Sequence, residues 1–232
     1  MAQEFDKDYW EAHWERATGH RGEPTIVPNP YLASETSGLV TGSALDAGCG
    51  EGAEAIWLAS AGWQVTAVDI STEALSRAAE RASAIGLPPE RVQWVEADLG
   101  VWDPDRQFDL VTTHYAHPAM PQLDFYQRIS NWVAPGGTLL IVGHLHSSDT
   151  PDHDASDHEH THRQGHGQHH PPAEASVTAA RITSGINPAH WAVVTAAERT
   201  RTLTNRAGRE VRLDDVVVRA TRNAPMINSS VR

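Results

Sequence analysis

The sequence has one cysteine, no long apolar run and far fewer basic than acidic side chains, and each shortage excludes a class of protein. A single cysteine, Cys49, allows no intramolecular disulfide. No stretch approaches the ~20 apolar residues of a transmembrane helix, so we expect no membrane partner. The formal charge of −12 argues against nucleic acid as the main partner, because binding phosphates needs a basic surface.

The N-terminal residues also lack the basic and apolar regions of a signal peptide, so we expect a cytoplasmic protein. A length of 232 residues, of which 40% are hydrophobic, suits one sizeable α/β domain rather than two. The sequence does not indicate an oligomeric state.

Hydrophobic segments of strand and helix character alternate along most of the chain. Strands are predicted at residues 43–46, 64–70, 92–97, 108–113 and 138–143, and helices at 5–17, 31–38, 53–60, 74–85, 124–133 and 173–184. Two later strands, at 191–199 and 211–221, flank a turn around 205–208 and predict a hairpin. Strands separated by helices at this spacing favour a doubly wound, mostly parallel sheet with helices on both faces.

A glycine-rich turn follows the first predicted strand, in the sequence Asp-Ala-Gly-Cys-Gly-Glu-Gly at residues 46–52. Without Cβ atoms the backbone turns sharply and lets a ligand approach closely. In open α/β sheets, ligands bind in the crevice at the carboxyl ends of the strands. Gly48, Gly50 and Ala53 also match the dinucleotide fingerprint loosely, so the turn alone leaves a nicotinamide oxidoreductase as an alternative.

Three acids at successive strand ends narrow the choice of nucleotide. Asp46 precedes the turn and is predicted to reach a ligand ammonium through water. Asp69 is placed to accept both hydroxyls of a ribose, and Asp98 to accept from an adenine amino group. An ammonium, a ribose diol and an exocyclic amine describe S-adenosylmethionine. The alternative is that Asp69 and Asp98 cap the segments that follow them.

Five ordered motifs, at residues 44–52, 65–71, 97–99, 108–111 and 134–139, resemble those of class I S-adenosylmethionine-dependent methyltransferases, and the small-molecule enzymes of the tellurite-resistance and thiopurine type in particular. The resemblance implies a Rossmann-like seven-stranded sheet whose last strand is antiparallel. It also implies S-adenosylmethionine as cofactor and a small-molecule acceptor. The cofactor contacts it implies are Asp46, Gly48, Cys49, Gly50, Gly52, Asp69, Ile70, Asp98, Leu99 and the backbone near His114.

The fourth predicted strand ends in His114-Tyr115-Ala116-His117-Pro118, which faces the transferable methyl group in such enzymes. This segment departs from the Asp/Asn-Pro-Pro-Tyr/Phe motif of methyltransferases that act on nucleic-acid amino groups. His114 and His117 are candidate general bases for an in-line methyl transfer, and His144 is a third. The alternative is that these imidazoles line a pocket or bond to the backbone.

The chain divides into a predicted N-terminal cap at residues 1–40 and a methyltransferase domain at 41–232. Tyr9, Trp10 and Trp14 form an aromatic helix that is predicted to close over cofactor and acceptor as a lid. The alternative is that these rings pack on the sheet edge.

A histidine-rich segment at about 146–172 interrupts the domain and is predicted to be a flexible insertion. Imidazole and carboxylate side chains together suit Zn²⁺ or Ni²⁺, and His158, His160 and His162 are the candidate ligands. A competing hypothesis is therefore a metal-binding protein that uses the insertion on a Rossmann-like scaffold.

Overall fold

The computed structural model describes residues 5–16, 27–145, 176–204 and 210–224. Its helices are α1 (Lys7–Arg16), α2 (Pro30–Thr36), α3 (Ala53–Ser60), α4 (Thr72–Ala84), α5 (Gln122–Ser130) and α6 (Ala179–Ser184), with a short 3-10 helix at Pro89–Arg91. Its strands are β1 (Ser43–Ala47), β2 (Gln64–Asp69), β3 (Val92–Glu96), β4 (Phe108–His114), β5 (Val133–His144), β6 (Trp191–Thr204) and β7 (Glu210–Arg222).

The seven strands form one sheet in the order β3-β2-β1-β4-β5-β7-β6. Strands β1 to β5 pair in parallel, and β7 runs antiparallel to both of its neighbours, β5 and β6. The chain order reverses between β1 and β4, and this reversal opens a crevice at the carboxyl ends of the strands. The predicted fold class, including the antiparallel last strand, is confirmed.

Side-chain alternation along the strands divides the core between the two faces of the sheet. Leu139 and Ile141 pack with α5 and α6 on one face. Leu140 and Val142 pack with α2, α3 and the first turn of α4 on the other. Successive residues of a strand point to opposite faces, so a strand buried on both faces is apolar throughout.

Two predicted boundaries around the Pro-Gly-Gly sequence were wrong. The fifth helix ends at Ser130 rather than at residue 133, and β5 begins at Val133 and continues through the Pro-Gly-Gly sequence. Gly136 has a φ of 83°, and a Cβ on Gly137 would lie 2.9 Å from the carbonyl oxygen of Ala134. The glycines therefore form an irregularity inside a strand, where a helix stop was expected.

The hairpin is longer than predicted, because β6 and β7 pair over the alternating Thr and Arg residues beyond Arg199. The helix expected at 173–184 begins only after Thr178, whose Oγ1 accepts from the Arg181 amide at 3.2 Å. The predicted turn at 205–208 and the insertion at 146–172 lie outside the described residues. No helix in the described part of the chain is both long and apolar enough to cross a membrane.

Candidate active site

A cavity of about 320 Å³ lies at the carboxyl ends of β1, β2 and β4 and after β3. Its walls come from the glycine-rich turn, the strand ends and α1. The lining residues are Phe5, Trp10, Trp14, Gly48, Cys49, Gly50, Glu51, Ala53, Glu54, Asp69, Ile70, Ala97, Asp98, Leu99, His114, Tyr115, Ala116, His117, Pro118 and Ala119. A pocket of this size and position is typical of a small-molecule or cofactor site.

The glycine-rich turn folds tightly against the end of β2. The amides of Gly48 and Cys49 both donate to the carbonyl of Val68, at 2.9 and 3.0 Å. Gly48 has a φ of 81°, and a Cβ there would lie 2.3 Å from the Cβ of Ala116. The missing side chain therefore lets the segment after β4 close against the turn, which completes the cavity wall.

Asp69 and Asp98 both line the cavity and both cap the backbone that follows. Asp69 is 9% exposed; its two oxygens accept from the amides of Ser71 at 3.0 Å and Gly50 at 2.8 Å. Burial raises the pKa of Asp69, and the backbone N–H groups oppose that shift. Asp98 accepts from the Gly100 amide at 2.8 Å. The two carboxylates therefore cap the backbone as the alternative interpretation expected, and both residues also lie in the cavity wall.

Besides His144, three predicted site residues that the structure describes do not line the cavity. Tyr9 lies on α1 outside the lining set, against Phe5 and Trp10. Gly52 begins α3 with a φ of 80°, and a Cβ there would lie 2.8 Å from Ala78 and Trp94. Packing of α3 against α4 and β3 therefore explains this glycine better than a cofactor contact.

Asp46 is the third of these, with 1% of its surface exposed. Burial raises its pKa well above the usual range, and the charges of Glu54 and Asp69 add to the shift. Its Oδ2 has no hydrogen-bond partner among the described residues. A carboxyl group in this position is buried beneath the cavity wall and does not reach into the cavity as predicted.

Glu54 lines the cavity nearby and was not predicted. It lies in the first turn of α3, and its Oε1 accepts from the Asn29 amide at 2.9 Å. An acid in the first helical turn is common for electrostatic reasons alone, so its sequence position gave no signal of a site. Glu51 also lines the cavity, but Arg77 and Arg81 of α4 pair with it at 3.0 and 2.6 Å.

Cys49 is buried in the turn, and burial raises the pKa of its thiol, with the charges of Asp69 and Asp46 adding to the shift. The protonated thiol is a poor nucleophile. Cys49 therefore fits a packing role in the turn and not that of a nucleophile.

His117 lies in the cavity wall with its imidazole held by Gln122. The Gln122 Nε2 donates to the carbonyl of Ala116 at 2.9 Å, so its Oε1 faces the His117 Nδ1, 3.2 Å away. An amide oxygen accepts, and Nδ1 must therefore carry the proton when the ring is neutral. Burial lowers the pKa of His117. The neutral ring then has its lone pair on Nε2, a buried atom with no partner among the described residues.

His114 also lines the cavity, and burial lowers its pKa. Its Nδ1 lies 3.4 Å from the hydroxyl of Thr112, which can donate or accept, so the tautomer is not fixed. His144 stacks on Tyr115 and His117 instead of lining the cavity.

Helix α1 lies over the cavity and docks on the N-terminus of α4. The Glu11 carboxylate accepts from the Ser71 hydroxyl and the Thr72 amide, each at 2.8 Å. The Arg77 guanidinium donates to the Trp14 carbonyl at 2.9 Å, and Lys7 pairs with Glu96. A Cβ on Gly50 would lie 3.1 Å from the Trp14 ring. Trp10 and Trp14 therefore form part of the cavity wall.

Among the residues described, no group of three or more His, Cys, Asp or Glu side chains is arranged to hold a metal ion. The candidate ligands His158, His160 and His162 lie outside the described residues.

Residues 44–137 match the family described as a methyltransferase domain. A probable thiol methyltransferase 2 of Arabidopsis thaliana is 31% identical over 140 residues, which cover 57% of this chain and 60% of that protein. The chain spans about half to three fifths of the length of its first curated relatives.

Solved structures of other proteins have a fold similar to that of this chain. TehB from Haemophilus influenzae has a TM-score of 0.63 at 14% identity, covering 92% of this chain and 66% of that chain. The 1,6-didemethyltoxoflavin-N1-methyltransferase of Burkholderia thailandensis, solved with S-adenosylhomocysteine, has a TM-score of 0.59 at 19% identity, covering 94% and 87%. None of these similarities favours a metal-binding protein or a nicotinamide enzyme. Residues 44–137 of the chain thus match a methyltransferase domain, and its seven-stranded sheet has the fold of these solved structures.

Proposed function

We propose that the protein transfers a methyl group from S-adenosylmethionine to an uncharged small-molecule acceptor, with a thiol as the first candidate. One arrangement supports this proposal. Asp69 and Asp98 at the cofactor end and the His117 imidazole at the other end all face a single cavity. The cavity thus combines acceptors for an adenosine with a neutral base.

The residues present fit the cofactor. Each Asp69 oxygen accepts one backbone amide and keeps a lone pair for a ribose hydroxyl. Ile70 and Leu99 supply apolar surface for an adenine, and Asp98 lies beside them. The Glu54 carboxylate in the cavity wall gives this end the negative charge that suits an ammonium group. When bound, S-adenosylmethionine supplies an activated methyl group, which an acceptor takes by in-line displacement.

The charge of the cavity favours a neutral acceptor. Its described lining contains Glu51, Glu54, Asp69 and Asp98 and neither lysine nor arginine, and Glu51 is paired with Arg77 and Arg81. An anionic acceptor would be repelled by the other carboxylates and would find no lysine or arginine in the described lining to pair with. The rest of the acceptor side is apolar, from Phe5, Ala116 and Pro118. A thiol fits this surface, and the Arabidopsis relative is named for thiol methylation.

His117 acts as the general base in this proposal. The thiol proton passes to Nε2 as the acceptor sulfur replaces the cofactor sulfur on the methyl carbon, which leaves neutral S-adenosylhomocysteine. Such proton transfer contributes about 10²–10⁴-fold to a rate. Phe5 and Trp10 exclude water from the cavity when α1 is docked.

Two measurements test the proposal. Calorimetry is expected to show binding of S-adenosylhomocysteine and none of NAD. Transfer of radiolabelled methyl is expected to benzyl mercaptan, which is neutral at pH 7, and not to thiocyanate, a permanent anion. Tight NAD binding, or preferential methylation of thiocyanate, would contradict the proposal.

The base is tested with His117→Gln, which keeps a polar side chain and removes the basic nitrogen. We expect kcat on benzyl mercaptan to fall by about 10²-fold or more, with unchanged affinity for S-adenosylhomocysteine. The matched control is His190→Gln, since His190 is exposed ahead of β6. Equal turnover of the two variants would assign the base elsewhere, with His114 as the next candidate.

A further inference from the structure

A buried polar cluster lies behind the acceptor wall and joins four separate parts of the chain. At its centre is the hydroxyl of Tyr115, the residue after β4. This hydroxyl donates to Asp215 Oδ1 of β7 at 2.8 Å. It accepts from Asn29 Nδ2, just before α2, and from Arg201 of β6, each at 3.0 Å. The partners are 86 or more residues away from Tyr115 in sequence.

The hydrogen bonds saturate the phenol. Its one proton goes to Asp215, and its two lone pairs are taken by Asn29 and Arg201. Asp215 is fully buried, and its second oxygen accepts from Arg201 Nε at 2.6 Å. Burial and the neighbouring Asp215 carboxylate raise the pKa of Tyr115. Tyr115 is therefore a fixed neutral group, and no base is available at this hydroxyl.

The backbone at Tyr115 is strained. Among the residues the structure describes, it is the one non-glycine residue with positive φ, at 56°. Left-handed backbone is unfavourable for a residue with a Cβ, and it persists where surrounding contacts enforce it. The Tyr115 amide donates to the Val142 carbonyl at 2.9 Å, and the hydroxyl is held by the cluster. This conformation directs the chain from β4 into the wall that carries His117.

The Tyr115 ring also supports the base through a stack of rings. The ring centroids of Tyr115 and His144 are 4.3 Å apart at an interplanar angle of 29°. The His144 and His117 centroids are 5.6 Å apart at 23°. The His117 ring therefore has two supports, Gln122 at Nδ1 and the stack on its face.

We infer that Tyr115 is a positioning residue, which the Asn29–Asp215–Arg201 cluster holds so that the His117 ring keeps its place in the cavity wall with Nδ1 on Gln122. This inference rests on the proposed function, because it assigns a support to the base named there. It adds that the β6–β7 hairpin, through Arg201 and Asp215, contributes to the acceptor side of the site.

The test uses Tyr115→Phe, which keeps the ring and removes all three hydrogen bonds, and Asp215→Asn, which removes the buried charge. Asp214→Asn is the matched control, since Asp214 precedes Asp215 on β7 and its side chain bonds outside the cluster, to Thr200 and Arg212. In protein with ¹⁵N-labelled histidine and bound S-adenosylhomocysteine, NMR reports the His117 tautomer. The Nδ1–H form is expected in the wild type and in the control, and a mixture of tautomers in both cluster variants.

Turnover of benzyl mercaptan is the second readout. We expect kcat to fall about 10–100-fold in Tyr115→Phe, the range for a misplaced catalytic group, with the dissociation constant of S-adenosylhomocysteine within twofold of the wild type. Wild-type tautomer and turnover in both cluster variants would overturn the inference. Parallel losses of cofactor affinity, thermal stability and turnover would also overturn it, because they indicate a purely structural role. If the wild type methylates no thiol, the proposed function fails, and the tautomer readout still decides this inference.

Discussion

The docking of α1 on α4 depends on one carboxylate, Glu11, whose removal gives a quantitative test of the predicted lid. The first amides of a helix have no intrahelical partner, and the N-terminus carries partial positive charge. Glu11 supplies a negative acceptor there for the Ser71 hydroxyl and the Thr72 amide. Burial opposes its ionisation, but these hydrogen bonds outweigh burial and lower the pKa of Glu11. The carboxylate is therefore ionised at neutral pH.

The size of the effect follows from those two bonds. A hydrogen bond to a charged group contributes about 1.5–3 kcal/mol. Glu11 is half-buried, so solvent screening reduces the combined contribution of its two hydrogen bonds to about 2 kcal/mol. Since 1.4 kcal/mol is tenfold in an equilibrium constant, Glu11→Ala is expected to weaken docking of α1 about 30-fold.

Hydrogen exchange and calorimetry measure the two consequences. Amides of residues 7–16 are expected to exchange faster in Glu11→Ala. The dissociation constant of S-adenosylhomocysteine is expected to rise by up to about 30-fold, because Trp10 and Trp14 line the same cavity. Glu15→Ala, an exposed position on the same helix, is the control. Faster exchange with unchanged cofactor affinity would refute the lid and leave α1 as a packing element at the edge of the sheet.

Three further perturbations test other parts of the site. Asp69→Ala is expected to weaken S-adenosylhomocysteine binding by about 2–3 kcal/mol, through lost charge-assisted hydrogen bonds; a calorimetric change below threefold would argue against the ribose contact. Gly52→Ala is expected to lower the free energy of unfolding by about 2–4 kcal/mol in urea titration, because it combines a positive φ with a methyl group 2.8 Å from Ala78 and Trp94. Gly38→Ala, with no heavy atom within 4 Å of the new Cβ, should be close to neutral. At saturating cofactor, kcat on benzyl mercaptan should fall as pH drops through the pKa of His117, which burial lowers; a titration limb retained in His117→Gln would exclude His117.

The glycine-rich turn and the strand-end acids were predictable because their signals are local. Asp69 and Asp98 follow strands whose apolar alternation is visible in the sequence, and parallel strands bring their carboxyl ends to one edge. The position of a carboxylate relative to the protein surface is not local. Asp46 has the same sequence context as the other two acids, yet the fold buries it and brings Glu54 to the cavity instead.

Boundaries were less predictable wherever tertiary contacts override local preference. The Pro-Gly-Gly sequence reads as a helix stop, yet pairing with β4 and β7 extends β5 across it. The later part of β6 has the sequence Thr-Arg-Thr-Leu-Thr at residues 200–204. It contains one apolar residue, so no apolar alternation predicts a strand there. It forms one because β7 supplies the hydrogen bonds.

The sequence by itself determined the class of fold and placed the glycine-rich turn, Asp69 and Asp98 at one crevice, because periodicity, glycine and strand-end acids act over a few residues. Tertiary structure alone decided the acceptor end. The tautomer of His117 follows from Gln122, the strained Tyr115 from Asn29, Arg201 and Asp215, and the position of α1 from Glu11 at the start of α4. The partners of Tyr115 and Glu11 lie 60 or more residues away in the chain. Hydrogen bonds between such distant groups exist only once the core has brought the groups together, and sequence periodicity carries no signal for them.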